Sequence, residues 1–405
     1  MRKTEFHFLF IVLYLPIVIG VVLFTITFAS YEDINFLSGS IIDTAIIIPE
    51  PKIVQVKVIQ PELLKPKAIK PLPTPKKVKG IYLTGYTFAD NLRRNELIKF
   101  IEKTELNTIV VDLKDPNGGF IFHPADKKLQ LMPISPVALG NVEFTQILTD
   151  LQEKEIYTIA RIITFQDNTV DQAFPNEVLK NKSGGVWRNY GGVAWLDPTN
   201  PNSWEIPVTQ AKEAAKLGFD EIQFDYIRFP SDGNTNQIQY HNPPNGKKRY
   251  QILTDFYKYL TENLKELEVP LSADLFGLTY QLQDNPEYDL GIGQRLSDVC
   301  LYFDYVSPMV YPSHYPGGYL GFSNPAVHPY AVVNQSLQDG NYILENILQS
   351  KSLNRPWLQD FSMGAVYNIK MIKDQIRACD ENNTAGWLLW NPRNVYTFKA
   401  LEPAE

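Results

Sequence analysis

From Gly80 to Trp390 the chain alternates short β-rich runs with amphipathic stretches, and it does so eight times. Strands are predicted at 80–86, 108–113, 157–165, 221–226, 271–275, 305–311, 356–359 and 385–390. Helices are predicted between them at 92–104, 144–154, 203–217, 248–267, 341–349 and 369–381. A short one is predicted at 293–298, between the fifth and sixth strands. No second run of consecutive strands occurs. Strands separated by helices pair in parallel, and eight such units close most simply into a (β/α)₈ barrel of the TIM type with enlarged loops. A doubly wound open sheet also alternates strand and helix, but the chain lacks the G-x-G-x-x-G phosphate turn that such sheets use.

Ahead of this body, Phe6 to Ala29 form 24 residues without a formal charge, long enough to span a bilayer as a helix. Arg2 and Lys3 precede the span, so the positive-inside rule keeps the N-terminus cytoplasmic and sends the rest outside. A cleaved signal peptide is the alternative, although the apolar run exceeds the ~7–15 residues of a usual signal core. Between Pro49 and Lys79 stand seven prolines and eight lysines. Repeated proline forbids helix and favours an extended polyproline II stalk, which mutual lysine repulsion stiffens. The expected organisation is an anchor at 1–30, an extracellular Pro/Lys-rich linker at 31–79 and the barrel at 80–405. That is a single-pass membrane protein with its catalytic domain outside the cell.

Several classes are excluded by what the chain lacks. The net charge is −7, and the part from residue 80 onward is the more acidic, which argues against a nucleic-acid partner. Two cysteines cannot frame a disulfide scaffold or a Cys-rich zinc domain. Five scattered histidines form no HExxH pair, so neither a metal site nor a cofactor is expected. There is no G-x-S-x-G elbow and no P-loop. A monomer is expected.

Barrel strands point alternate residues into the lumen and against the helices. In the fourth strand Ile222 and Phe224 go outward, and Gln223 and Asp225 face the lumen. In the fifth, Ser272 and Asp274 face inward; in the second, Val110 and Asp112 do. A carboxylate in a lumen is costly unless it is paired or functional, and Arg161 on the third strand is positioned to pair with Asp225. Two carboxyls flanking a cleft suffice for glycoside hydrolysis. Asp225 and Asp274 are the leading catalytic pair, with Asp112 and Asp360 in reserve. Helix capping is the structural alternative for any single aspartate at a strand end.

Sugar rings stack their C–H faces on aromatic rings. Trp187, Tyr190 and Trp195 lie in a polar segment after the third strand, Tyr311 and Tyr315 follow the sixth, and Trp390 ends the eighth. With Arg161, these are the candidate substrate-binding residues. Trp357 and Trp204 read at least as readily as core.

The segments IARIITFQD (159–167), VWRNYGGVAWLDPTNP (186–201), GFDEIQFDYIRFPSDG (218–233), SADLFG (272–277), DYVSPMVYPSHYPGG (304–318), RPWLQDF (355–361) and GWLLWNPRN (386–394) resemble a family of bacterial (β/α)₈ domains catalogued as "putative glycoside hydrolase". The resemblance covers about 80–395. It implies action on polysaccharides outside the cell and a distant similarity to α-amylase-like barrels. By that similarity Asp225 would be the nucleophile, Asp274 the acid/base group and Asp360 the further aspartate after strand seven. The sequence departs from the amylase pattern in having Asp where a Glu is usual on strand five, and it lacks the His-Asp pair after strand seven. The expected function is therefore an extracellular, membrane-anchored hydrolase of a polysaccharide. The rival is a non-catalytic carbohydrate-binding or wall-organising barrel. What separates the two is whether Asp225 and Asp274 converge on an aromatic-lined cleft.

Overall fold

Eight parallel strands succeed one another round a closed barrel, in a computed structural model that describes residues 70–404 apart from 243–245 and 283–284. The proposed span at 6–29 and nearly all of the linker lie outside the described residues. β1 (Val78–Leu83) pairs with β2 (Thr108–Asp112). The ladder continues through β3 (Tyr157–Ile163), β4 (Glu221–Asp225), β5 (Leu271–Phe276) and β6 (Tyr305–Met309). β7 (Trp357–Gln359) pairs with β8 (Gly386–Trp390), which returns to β1. The ring closes where Met309 of β6 meets Trp357 of β7. A two-residue stretch, Leu353–Asn354, pairs with β6 just before β7 begins. Pro356 separates the two pieces because it has no N–H to give to the ladder.

The helices form the outer layer. They are α1 (Asn91–Ile101), α2 (Asn141–Glu153), α3 (Pro201–Leu217), α4 (Arg249–Leu264), the single turn α5 (Leu296–Val299), α6 (Pro329–Asn346) and α7 (Ile369–Glu381). The eighth unit ends in one 3₁₀ turn, Phe398–Ala400. Local chemistry sets the ends of α3. The Asn200 side chain accepts the Asn202 N–H at its start, and Gly218 closes it at φ +108°.

Three of the differences from the sequence expectation have a clear local cause. β1 begins at Val78, whose N–H bonds the Ala385 carbonyl at 2.9 Å, so the barrel takes in residues assigned to the linker. β6 stops at Met309 because the Val310 N–H turns back onto the Pro308 carbonyl. α6 starts twelve residues earlier than expected. Pro329 occupies its first turn, where a missing N–H costs nothing. Gly340 lies inside the helix, where a Cβ would come within 2.1 Å of the Tyr280 ring.

The alternation along the strands separates two apolar clusters. Ile81, Val111, Ile222, Phe224, Ala273 and Leu275 pack outward against the helices in the large core. Val78, Tyr82, Val110, Tyr157, Ile159 and Leu388 belong to the smaller one inside the barrel. The lower lumen also holds Glu221 and Arg355, both fully buried and paired through both guanidinium Nη atoms, with Ser272 Oγ donating to Glu221 at 2.6 Å. Cys300 and Cys379 are both free and buried. Among the described residues no helix is long and apolar enough to cross a membrane.

Candidate active site

The strand register delivers the ionisable side chains. Asp112 on β2 lies opposite Arg161 on β3, Ile163 lies opposite Asp225 at the end of β4, and Asp274 on β5 lies opposite Ser307 on β6. At the C-terminal end of the barrel these four charged groups meet. Arg161 is their centre: Nη1 binds Asp112, Nη2 binds Asp225, and Nε lies 3.5 Å from Asp274 Oδ2. Nε and Nη2 share one edge of the planar guanidinium, so Asp225 and Asp274 sit side by side on that edge while Asp112 takes the other end. The guanidinium occupies the place a bound cation would take among these carboxyls. Among the described residues no cluster has the make-up of a metal site.

The two leading carboxyls are held differently. Asp225 accepts from Arg161 and, through Oδ1, from the N–H of Tyr226 at 2.6 Å. Tyr226 itself stands at φ +54°. A left-handed conformation in a bulky residue costs on the order of 1–3 kcal/mol and concentrates at working sites. Asp274 has no exposed surface and forms part of the pocket floor. Its Oδ1 accepts the Trp357 indole N–H at 2.8 Å, and its Oδ2 has no hydrogen-bond partner. Burial, reinforced by the adjoining Asp225, pushes the Asp274 pKa well above the ordinary carboxylate range. Burial also raises Asp112, against the opposing pull of Arg161. Asp112 further accepts the Tyr82 hydroxyl at 2.6 Å.

Above these groups lies a cavity of about 130 Å³. Asp225, Asp274 and Arg161 line it from below, and Trp357, Trp390 and Tyr311 form its aromatic wall. Trp357 and Trp390 meet edge to face with centroids 5.5 Å apart, and Trp390 stacks on Tyr82 at 3.9 Å. Tyr226, Arg228, Phe276 and Met309 complete the lining. Tyr226 also borders a second cavity of about 180 Å³, which contains Asp112 and the buried Lys114–Asp167 pair.

Other predicted residues lie elsewhere. Asp360 accepts both the N–H and the hydroxyl of Thr397 at 2.7 Å, so its carboxyl fastens a loop and does not reach the cavity. Tyr315 is buried with its hydroxyl 2.8 Å from Ser336 on α6. Trp187 and Trp195 are buried in the large core. The segment carrying them is folded down by bridges such as Arg188–Ala194 and Val178–Leu196, and the Trp187 indole donates to the Asn234 carbonyl. Tyr190 is 84% exposed at the tip of that segment and lines neither cavity. Trp357 is the reverse case, because it reads as core in sequence yet holds Asp274. The signal that finds it is parity: Trp357 shares its lumenal face with Gln359, two residues on. Tyr82 and Arg228 also went unread.

The family model described as "Putative glycosyl hydrolase domain" matches residues 80–396. The chain belongs to this family. The match takes in the whole barrel from the third residue of β1 and every residue of the cavity. No curated protein matches the sequence. Among solved structures, a hypothetical protein from Ruminiclostridium thermocellum ATCC 27405 is 32% identical over 48% of this chain and 96% of its own, with a TM-score of 0.43. The PgaB (BpsB) glycoside hydrolase domain from Bordetella bronchiseptica is 14% identical over 80% of this chain and 95% of its own, with a TM-score of 0.56. Amy13B of Eubacterium rectale is 10% identical over 80% and 67%, with a TM-score of 0.51. At such identities the likeness to the last two is one of fold.

Proposed function

We propose that this barrel hydrolyses a polysaccharide outside the cell, tethered by the apolar span at 6–29 and held off the membrane by the Pro/Lys-rich stalk. The observation that carries the catalytic part is the convergence of Asp225 and Asp274 on one aromatic-lined cavity at the C-terminal end of the strands. Active sites of this fold sit at that end. A purely structural pair would not need a cavity beside it.

In the reaction, Asp274 is the acid. Burial and the adjoining Asp225 favour its protonated form, and Oδ2, which has no hydrogen-bond partner, would carry the proton to the leaving glycosidic oxygen. Asp225, held by Arg161 and the Tyr226 N–H, attacks the anomeric carbon as the glycosidic bond breaks, giving a glycosyl ester. Asp274, now a carboxylate, takes a proton from the water that hydrolyses the ester. Arg161 offsets the like-charge cost of holding both carboxyls together. Two carboxyls on one guanidinium edge favour the close spacing of retaining enzymes, about 5–5.5 Å, over the wider gap that accommodates a water. NMR of the first-formed sugar tests this: the product should keep the anomeric configuration of the substrate. Inversion would remove Asp225 as nucleophile.

A further inference from the structure

Arg228 is a buried cation whose charge the catalytic reading does not use. It lines the same cavity as Asp225 and Asp274. Its Nη1 donates to the Phe229 carbonyl at 3.0 Å and to Ser231 Oγ at 3.1 Å. Among the described residues, Nε and Nη2 have no hydrogen-bond partner, and no carboxylate lies within salt-bridge distance. Rings of Phe276, Tyr226 and Trp195 lie 4.8, 5.0 and 5.1 Å from the guanidinium carbon. They fix the plane of the group and partly compensate its charge. Burial lowers its pKa from the ordinary guanidinium value, against the opposing pull of Tyr226, Asp225 and Asp232. The other arginine of the cavity, Arg161, has three aspartates within ion-pair distance.

The open edge of Arg228 is the Nε–Nη2 edge, which presents two parallel N–H groups. That fork matches the two oxygens of a carboxylate or a phosphate and is much less suited to a single sugar hydroxyl. We infer that the cavity takes an acidic glycan, whose carboxylate or ester phosphate is bound by the Nε–Nη2 edge of Arg228 beside the reacting sugar. This rests on the glycoside hydrolase reading of the same cavity and names its substrate class. The chain from residue 80 onward is net acidic and would repel such polymers at long range, so a local cation is what admits them.

Binding to the full-length protein tests it. The probes are polygalacturonate for the carboxylate, a phosphomannan for the phosphate, and carboxyl-reduced polygalacturonate and dephosphorylated mannan as their neutral counterparts. Each is titrated against tryptophan fluorescence in the parent protein, in Asp225→Asn, and in Arg228→Gln and Arg228→Lys. One acidic polymer should bind at least tenfold more tightly than its neutral counterpart, and which one it is separates carboxylate from phosphate. Arg228→Gln should abolish that preference, and Arg228→Lys, which keeps charge but not the fork, should restore it only in part. Equal binding of acidic and neutral forms by the parent protein overturns the inference without recourse to any variant, as does a preference untouched by Arg228→Gln. The hydrolase reading fails separately. An acidic glycan bound through Arg228 but not cleaved sinks that reading alone. A neutral glycan cleaved in a manner lost with Asp225→Asn and indifferent to Arg228→Gln sinks the acidic-glycan inference alone.

Discussion

At the scale of single residues, the proton on Asp274 is the pivot. Its pKa in the folded chain is raised by burial and by Asp225, whereas an unfolded aspartate titrates near ~3.9. A raised acid stabilises the fold fully below the unfolded value, and that contribution is lost as pH climbs through the folded value. Asparagine does not titrate. The melting-temperature advantage of the parent over Asp274→Asn should therefore shrink as pH rises above the unfolded value, and differential scanning calorimetry reads it directly. Activity should fall on the alkaline side as the same proton leaves, and Asp274→Asn should be partly rescued by substrates with good leaving groups, which need no proton. Glu221 provides the contrast. It faces the same lumen but at the opposite end, in a buried pair with Arg355. Glu221→Gln should cost about 3–5 kcal/mol in denaturant unfolding and leave KM for a confirmed substrate unchanged. Parity alone reads both residues as lumenal. It is position along the strand that assigns one to stability and the other to chemistry.

At the scale of elements, the strands were legible because each carries its inward and outward sets two residues apart, and the observed register keeps every one of those assignments for β2, β4 and β5. The loops were not. Trp187 and Tyr315 stand in polar, glycine-rich surroundings that read as exposed, yet bridges within 178–196 and the Ser336 hydroxyl draw them inward. Such pairings link residues distant in sequence or depend on a fold-back, and no local periodicity announces them. Asp360 stands where the resemblance implies a further aspartate after strand seven, but it has the contacts of a loop clasp. The expected start of α6 falls directly after Gly340, a helix-interior glycine whose place is set by a tertiary contact, the close approach of Tyr280. Gly340→Ala should gain intrinsic helix propensity but lose more to overpacking against a ring held by its bond to Asn354. A net destabilisation of about 1–3 kcal/mol is expected. A more stable variant in chemical denaturation would show that the ring moves aside.

At the scale of the whole molecule, the boundary of the barrel lies upstream of the position that composition marks. Leu72 donates its N–H to the buried Asp220 at 2.6 Å and packs against the lumenal cluster, and Thr74 lies 3.2 Å from the Tyr157 hydroxyl. A chain starting at residue 70 should fold without the anchor and melt several degrees above one starting at residue 80, which lacks Val78, Lys79 and the Leu72 contact. Equal melting temperatures would show that 70–79 contribute nothing to the fold.

The measurement that bears most directly on the hydrolase assignment is the release of reducing ends from acidic and neutral polysaccharides by the parent protein and by Asp225→Asn. The parent should cleave at least one of them. Asp225→Asn should lose at least ~1,000-fold in kcat while melting within a few degrees of the parent, because the amide is isosteric and Asp112 continues to compensate Arg161. A variant that turns over a confirmed substrate at the parental rate would contradict the assignment of Asp225. A parent that binds glycans and cleaves none would leave a binding barrel in place of an enzyme.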